Sequence, residues 1–332
     1  MGLTRHGSRA ARAVAAILVL AIGCGAPALT VPSPAVSATA SPSTSAAASA
    51  QPTTPPPLSA RVEDLVAQFN YDRAAPLQVR ETATAQAGTT AVTEIEYANG
   101  RGSLAKATLI VPVAQGRRAA LVMSPGSNQP RGEMRAEALG IANALGVVAL
   151  IVDQSQISSG RDKVWTFTAQ DREEAIESAV GLLRGVDVLA ARADVDPSRV
   201  GIYAFSYGAS LAVMAAAADR RVGLLVLRSG GPQILRELAG PTRASAPGFA
   251  AYQETMASVD QMRFAPAIGA AVPVLVQNGA SDTTYPADGV RAWQAAIGGA
   301  KVMRMYDGLG HALGQPANDD AIAFIRERWQ LR

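Results

Sequence analysis

The sequence has a single cysteine, Cys24, and only two histidines, His6 and His311, among its 332 residues. One cysteine forms no intrachain disulfide, and none of the thiolate patterns of structural zinc sites is present. With one histidine beyond the first two dozen residues, the usual transition-metal sites are excluded as well. We therefore expect neither a metal cofactor nor redox chemistry.

Neither positive nor negative charge is in large excess. Lysine and arginine total 30 and aspartate and glutamate total 27, which gives a formal net charge of +3. The arginines are scattered and form no basic run interleaved with aromatic residues, so nucleic acid is not expected as a partner. No glycine string has the setting of a P-loop or a dinucleotide-binding turn, so no nucleotide cofactor is predicted.

The first 25 residues have the pattern of an export signal. Three arginines precede an apolar stretch at residues 13–22, which is too short to span a bilayer. The residues before Cys24 resemble the lipobox of bacterial lipoproteins, although Ala21 stands where a lipobox usually has leucine. The resemblance implies lipidation of Cys24 and attachment to the cell envelope. The alternative is secretion after ordinary cleavage near Ala26 or Ala28.

A segment of biased composition follows this leader. Residues 27–57 are almost entirely Ala, Ser, Thr, Pro and Val, and such a composition buries too little apolar surface to offset its conformational entropy. We predict a disordered linker at residues 26–60 and a folded domain at residues 61–332. A folded part of roughly 270 residues is ample for one continuous hydrophobic core.

The predicted domain alternates short apolar runs with helical patterns. Uninterrupted apolar runs indicate strands buried on both faces, and their alternation with helices predicts an α/β fold with a mostly parallel central sheet. In such sheets, functional groups gather at the carboxyl ends of the strands. Residues 231–271 separate two predicted strands, and we expect them to form a small cap. Predicted strands are 92–97, 105–113, 119–123, 147–152, 200–205, 222–227, 272–277 and 301–306, and predicted helices are 62–69, 133–145, 169–192, 207–218, 249–262, 287–297 and 318–329.

Ser206 stands between a predicted strand and a predicted helix. Ala204 and Gly208, two positions before and two after it, are small, as a sharp strand-to-helix turn requires because the two backbones approach closely. A serine on such a turn is a candidate nucleophile. The alternative interpretation is a serine that only caps the helix.

With this motif, the region from residue 92 onward resembles the α/β-hydrolase superfamily, and more loosely its dienelactone hydrolase and serine-peptidase-like branches. Ala204 departs from the glycine of the commonest motif, but alanine is small enough to keep the turn. The resemblance implies catalytic residues in the chain order serine, acid, histidine.

His311 is the sole histidine of the predicted mature domain and lies after the last predicted strand, where the family keeps its base. A serine hydroxyl needs such an imidazole to take its proton. The loop that contains Asp282 resembles the family's Gly-x-x-Asp loop, so we predict that Asp282 orients His311. Asp307 is the rival acid, and an ordinary turn aspartate or an incidental loop histidine is the alternative to these roles.

An oxyanion hole requires two backbone N–H groups. We expect them from Tyr207, directly after the nucleophile, and from Ser127, in the loop after the strand at 119–123. Trp165 and Phe167 lie in a long loop and either line an acyl pocket or pack against the body of the domain.

These residues predict an exported serine hydrolase that cleaves a carboxylic ester of a small-molecule acyl substrate, through an acyl-enzyme and without a cofactor. Cleavage of a thioester or amide, and transfer of the acyl group to an alcohol, stay open. The competing class is a catalytically inactive hydrolase fold that serves as a ligand-binding or envelope lipoprotein. The presence of Ser206, Asp282 and His311 in the expected order argues against it.

Overall fold

The computed structural model describes residues 60–113, 116–161, 165–285 and 287–331. All of them belong to one compact unit. The predicted leader, Cys24 and the linker up to residue 59 lie outside the described residues. Within the described ranges, no helix is both long and apolar enough to cross a membrane.

Nine strands of the described chain form one mixed sheet in the order β1-β2-β3-β5-β4-β6-β7-β8-β9. The pairs β1/β2, β2/β3 and β3/β5 are antiparallel, and every pair from β5/β4 to β8/β9 is parallel. The strands are β1 (Arg80–Ala87), β2 (Thr90–Ala98), β3 (Leu104–Val111), β4 (Arg118–Ser124), β5 (Val148–Val152), β6 (Val195–Phe205), β7 (Leu225–Arg228), β8 (Pro273–Gly279) and β9 (Ala300–Tyr306).

Helices cover both faces of this sheet. The α-helices are α1 (Val62–Val66), α2 (Arg135–Leu145), α3 (Ser155–Ser158), α4 (Gln170–Ala190), α5 (Tyr207–Ala218), α6 (Leu235–Ala244), α7 (Phe249–Ala257), α8 (Gln261–Phe264), α9 (Ala287–Ala296) and α10 (Gly314–Trp329). Short 3₁₀ turns at Ala67–Phe69, Arg131–Met134 and Ala265–Ala267 adjoin α1, α2 and α8.

The sheet separates two hydrophobic cores because successive strand residues point to opposite faces. Along β4, Val122 packs with α4 and α5, whereas Leu121 and Met123 pack with α2 and α10. Strands β4 and β5 are buried at every position. The predicted α/β architecture, with a mostly parallel sheet and helices on both faces, is confirmed.

Several parts of the fold differ from the prediction, among them α3, α6 and β1, which the sequence did not indicate. Strand β1 was not predicted, because nearly all of its side chains are exposed and they show no apolar alternation. The helix predicted at 249–262 is two helices, α7 and α8, and α8 starts where the Asp260 carboxylate accepts a hydrogen bond from the Met262 N–H. Residues 231–271 thus contribute α6, α7 and α8 between β7 and β8.

Candidate active site

Ser206 occupies a sharp turn between β6 and α5. Its φ of 55° and ψ of −120° lie outside the regions that non-glycine residues favour. Its N–H donates to the Arg228 carbonyl at 2.8 Å, which ties the turn to the end of β7. Gly208 is required for this turn, because a Cβ there would lie 2.5 Å from the carbonyl oxygens of Ser124 and Pro125.

His311 lies in the loop between β9 and α10, and its imidazole reaches the serine. The His311 Nε2 and Ser206 Oγ atoms are 2.8 Å apart. The Ser229 hydroxyl donates to the His311 carbonyl at 2.6 Å and so fixes the loop from the side of β7. The edge of the imidazole is also near the Phe205 ring, with centroids 5.2 Å apart.

Asp282 follows β8 and lies on the other side of the imidazole. Its Oδ2 is 2.8 Å from His311 Nδ1, and its Oδ1 accepts the Thr284 N–H at 2.7 Å. The Asp282 side chain is 2% exposed and that of His311 is 28% exposed. Asp307, the rival acid, is exposed, and among the described residues the carboxylate hydrogen-bonded to His311 is that of Asp282.

The loops of Asp282 and His311 meet because of one small residue. A Cβ on Gly279 would collide with the carbonyl oxygens of Leu309 and Gly310, so only glycine lets the two loops cross. The Ser281 N–H then donates to the Leu309 carbonyl at 2.9 Å. This contact sets the acid loop against the histidine loop.

The arrangement defines a proton path. When the carboxylate of Asp282 accepts the Nδ1–H of His311, the lone pair of Nε2 faces the Ser206 hydroxyl. The imidazole is then placed to remove the serine proton, and the buried carboxylate is placed to stabilise the imidazolium. We call these three hydrogen-bonded residues the triad below.

Ser127 and Tyr207, the residues predicted to supply N–H groups, line the same cavity as Ser206. Within the described residues, neither backbone N–H donates to a protein acceptor. Tyr207 N–H is free because Tyr207 is the first residue of α5, and the opening N–H groups of a helix have no intrahelical partner. Both N–H groups are therefore free of described protein acceptors.

The cavity beside Ser206 has a volume of about 60 Å³, and its described walls are mostly apolar. Trp165 is one of its walls and packs edge-on against the Tyr207 ring, with centroids 5.1 Å apart. Phe167 instead packs against Tyr252. Both residues pack against the larger hydrophobic core, and of the two only Trp165 is among the described residues that line the cavity.

Tyr285 also borders this site, and no feature of the sequence indicates it. The residue lines the cavity, and its ring centroid is 5.9 Å from that of His311. Burial raises the pKa of Tyr285 to about 12, opposed by a hydrogen bond with Ser206. The phenol is therefore neutral at neutral pH and lies within reach of the nucleophile.

No other chemistry is evident near these residues. Within the described ranges, no group of three or more His, Cys, Asp or Glu side chains is placed to hold a metal ion.

The sequence matches no model of a known protein family and no curated protein.

Solved structures do resemble the described domain. Acetyl xylan esterase 1 from a Thermoanaerobacterium species superposes with a TM-score of 0.67 and 18% identity, over 84% of this chain and 96% of that one. For an acetyl xylan esterase from a Paenibacillus species the values are 0.64, 19%, 81% and 93%. For a glucuronoyl esterase from Solibacter usitatus they are 0.60, 15%, 80% and 92%. The domain therefore has the α/β-hydrolase fold that the sequence predicted.

Proposed function

We propose that this protein is a serine esterase that cleaves a carboxylic ester through an acyl-enzyme. Ser206 is the nucleophile, His311 the general base and Asp282 the residue that orients the histidine. The observation that carries the proposal is the continuous hydrogen-bonded chain of the triad, with 2.8 Å at each of its two links. The strained backbone of Ser206 supports the same role, because strain of this kind clusters at functional sites.

The reaction proceeds in two steps. Ser206 Oγ attacks the ester carbonyl while its proton passes to His311 Nε2, and the imidazolium then gives that proton to the departing alcohol. In the second step His311 removes a proton from water, which attacks the acyl-enzyme and releases the acid. The imidazolium returns that proton to Ser206 Oγ as the acid leaves, which restores the serine hydroxyl, and no cofactor enters either step.

The N–H groups of Tyr207 and Ser127 are proposed to hold the negative oxygen that develops on the carbonyl carbon. Both residues border the cavity at Ser206, and neither N–H has a described protein acceptor. Donors fixed in place before the reaction act without reorganisation, and each is worth about 10²–10³ in rate in related mechanisms.

Turnover of a short activated ester tests this proposal. We expect the purified protein to hydrolyse p-nitrophenyl butyrate and the Ser206→Ala variant to lose at least about 10⁴ in kcat. Equal rates for wild type and Ser206→Ala would refute the proposal and favour the inactive hydrolase fold. Faster turnover of the matched thioester or amide would instead correct the class of bond.

Export and lipidation are proposed from the leader sequence alone. The mass of the N-terminal peptide of protein isolated from the membrane fraction tests both ideas. A lipid-modified peptide starting at Cys24 is expected. An unmodified peptide starting near Ala26 or Ala28 in the culture medium would contradict lipidation of Cys24 and support export.

A further inference from the structure

The cavity beside Ser206 is lined mostly by apolar side chains, with polar ones at Ser210, Gln233, Gln261 and Thr284. Its described walls include Met214 from α5, Leu235 and Leu238 from α6, Met256 from α7, and Val259 from the turn before α8. None of the described residues that line it carries a charge. Methionine and branched aliphatic side chains offer an extended chain dispersion contacts and no competing hydrogen bonds.

A buried carboxylate holds these walls in place. Asp171, at the start of α4, accepts hydrogen bonds from the Phe167 N–H at 2.8 Å and from the Tyr252 hydroxyl at 2.9 Å. The first bond fixes the loop that carries Trp165, and the second fixes α7, which carries Met256. The cavity is therefore formed before any ligand arrives, which favours binding because little ordering remains to be done.

The position of His311 decides which half of an ester enters the cavity. The alcohol that leaves must receive its proton from His311 Nε2, so it lies on the histidine side of Ser206. His311 is not among the described residues that line the cavity, whereas Ser127 and Tyr207 are. The group that stays on Ser206 Oγ, which is the acyl group, therefore faces the cavity.

The volume sets the length of this acyl group. At about 10–15 Å³ for each water-sized group, a cavity of about 60 Å³ holds about four to six such groups in a row. An acetyl group would leave most of the apolar wall without contact. Each further methylene that is buried there raises kcat/KM about fourfold until the cavity is full.

We infer that this cavity is an acyl pocket and that the protein prefers esters of straight-chain acids of about four to six carbons over acetate esters. The inference rests on the proposed function, because an acyl group reaches the cavity only through Ser206. The preference would distinguish this protein from the two structurally similar acetyl xylan esterases, whose names specify an acetyl group.

The test measures kcat/KM of the purified full chain for p-nitrophenyl acetate, butyrate, hexanoate and dodecanoate. The wild type is expected to favour butyrate and hexanoate over acetate by about tenfold or more. A matched pair of variants adds one methylene inside or outside the cavity. Val259, which lines it, is 3% exposed, and Val290 on α9, which is not among its described lining residues, is 4% exposed.

Val259→Leu is expected to lower the hexanoate-to-acetate ratio about fourfold, because the new methylene occupies space that the acyl chain would fill. Val290→Leu perturbs packing to a similar degree and is expected to leave that ratio unchanged. Fluorophosphonate labelling of Ser206 is measured in the same samples, so that loss of the nucleophile is distinguished from loss of the pocket.

A wild type that labels at Ser206 and hydrolyses acetate as fast as hexanoate overturns the acyl pocket and leaves the proposed function intact. Equal changes of the ratio in Val259→Leu and Val290→Leu overturn it as well. Absence of both ester turnover and labelling in a folded wild type overturns the proposed function and, with it, this inference.

Discussion

Replacing Asp282 by asparagine exchanges one carboxylate oxygen for an NH₂ group and, we expect, removes most of the activity. The Thr284 N–H, 2.7 Å from Asp282 Oδ1, pins the amide oxygen of the new side chain at that position. The amide nitrogen then faces His311 Nδ1, at the place where a carboxylate oxygen now lies 2.8 Å away. An NH₂ group donates, so Nδ1 must accept and the ring proton moves to Nε2. In that tautomer the imidazole has no lone pair for the Ser206 proton.

The size of the loss follows from the cost of restoring the productive tautomer. The amide must turn over, which leaves the Thr284 N–H opposite an NH₂ group, and the substitution itself has removed the negative charge beside the imidazolium. A buried polar group left unpaired costs about 1–3 kcal/mol, and loss of the charged partner of the imidazolium costs about 1.5–3 kcal/mol more, where each 1.36 kcal/mol is a factor of ten. We therefore expect kcat/KM for p-nitrophenyl butyrate to fall about 10³- to 10⁴-fold at pH 7.

The matched control is Asp307→Asn. Asp307 precedes His311 by four residues in sequence, but its side chain is exposed, so we expect kcat/KM to stay within about twofold of wild type. Circular dichroism and thermal unfolding check that both variants fold. The reasoning is refuted if Asp282→Asn keeps more than about a tenth of the wild-type kcat/KM, or if Asp307→Asn loses as much.

Three further predictions concern stability. The positive φ of Ser206 strains an L-residue, so the Ser206→Gly variant should melt about 2–4 °C above Ser206→Ala, and equal Tm values would contradict stored strain. Gly208→Ala should lower the free energy of unfolding in urea by about 1–3 kcal/mol and reduce ester turnover, because the new Cβ displaces the loop after β4. Wild-type kinetics in this variant would show that the turn accommodates a Cβ. Hydrogen bonds from Ser198 and Arg199 lower the pKa of Asp196 to about 2. The contribution of Asp196 to the free energy of unfolding is therefore complete above about pH 4 and lost as the pH falls towards 2. The difference in unfolding free energy between wild type and Asp196→Asn should shrink over that range. A constant difference would argue against this assignment.

Much of the fold is predictable from the sequence, because burial on both faces leaves uninterrupted apolar runs. Strands β4 and β5 show such runs and lie within one residue of their predicted bounds. Strand β1 carries mostly exposed residues at the edge of the sheet, so its pairing with β2 depends on backbone hydrogen bonds that leave no mark in hydrophobicity. The break between α7 and α8 is likewise decided locally, by the Asp260 cap.

The candidate site was likewise predictable from the sequence only in part. Ser206 is predictable because close backbone approach demands small neighbours, and His311 because the predicted domain contains no other histidine. The choice between Asp282 and Asp307 depends on how two loops cross at Gly279. The sequence supports Asp282 only through the resemblance of its loop to the Gly-x-x-Asp loop of the family.

The residues that were missed act through packing between segments distant in the sequence. Ser229 holds the histidine loop from β7, and Tyr285 borders the cavity through its position beside His311. Neither contact has a local pattern. The cavity itself depends on how α6 and α7 settle on α5, which the hydrophobic pattern of residues 231–271 does not specify.

The central claim is that Ser206 is a nucleophile activated by His311. Labelling of the purified protein with a fluorophosphonate, followed by peptide mass mapping, tests it in wild type and in His311→Ala. The account predicts a label on Ser206 in wild type and its loss in the histidine variant, since the two atoms that share the proton are 2.8 Å apart. A folded wild type that takes no label, or a label that persists in His311→Ala, would contradict the claim.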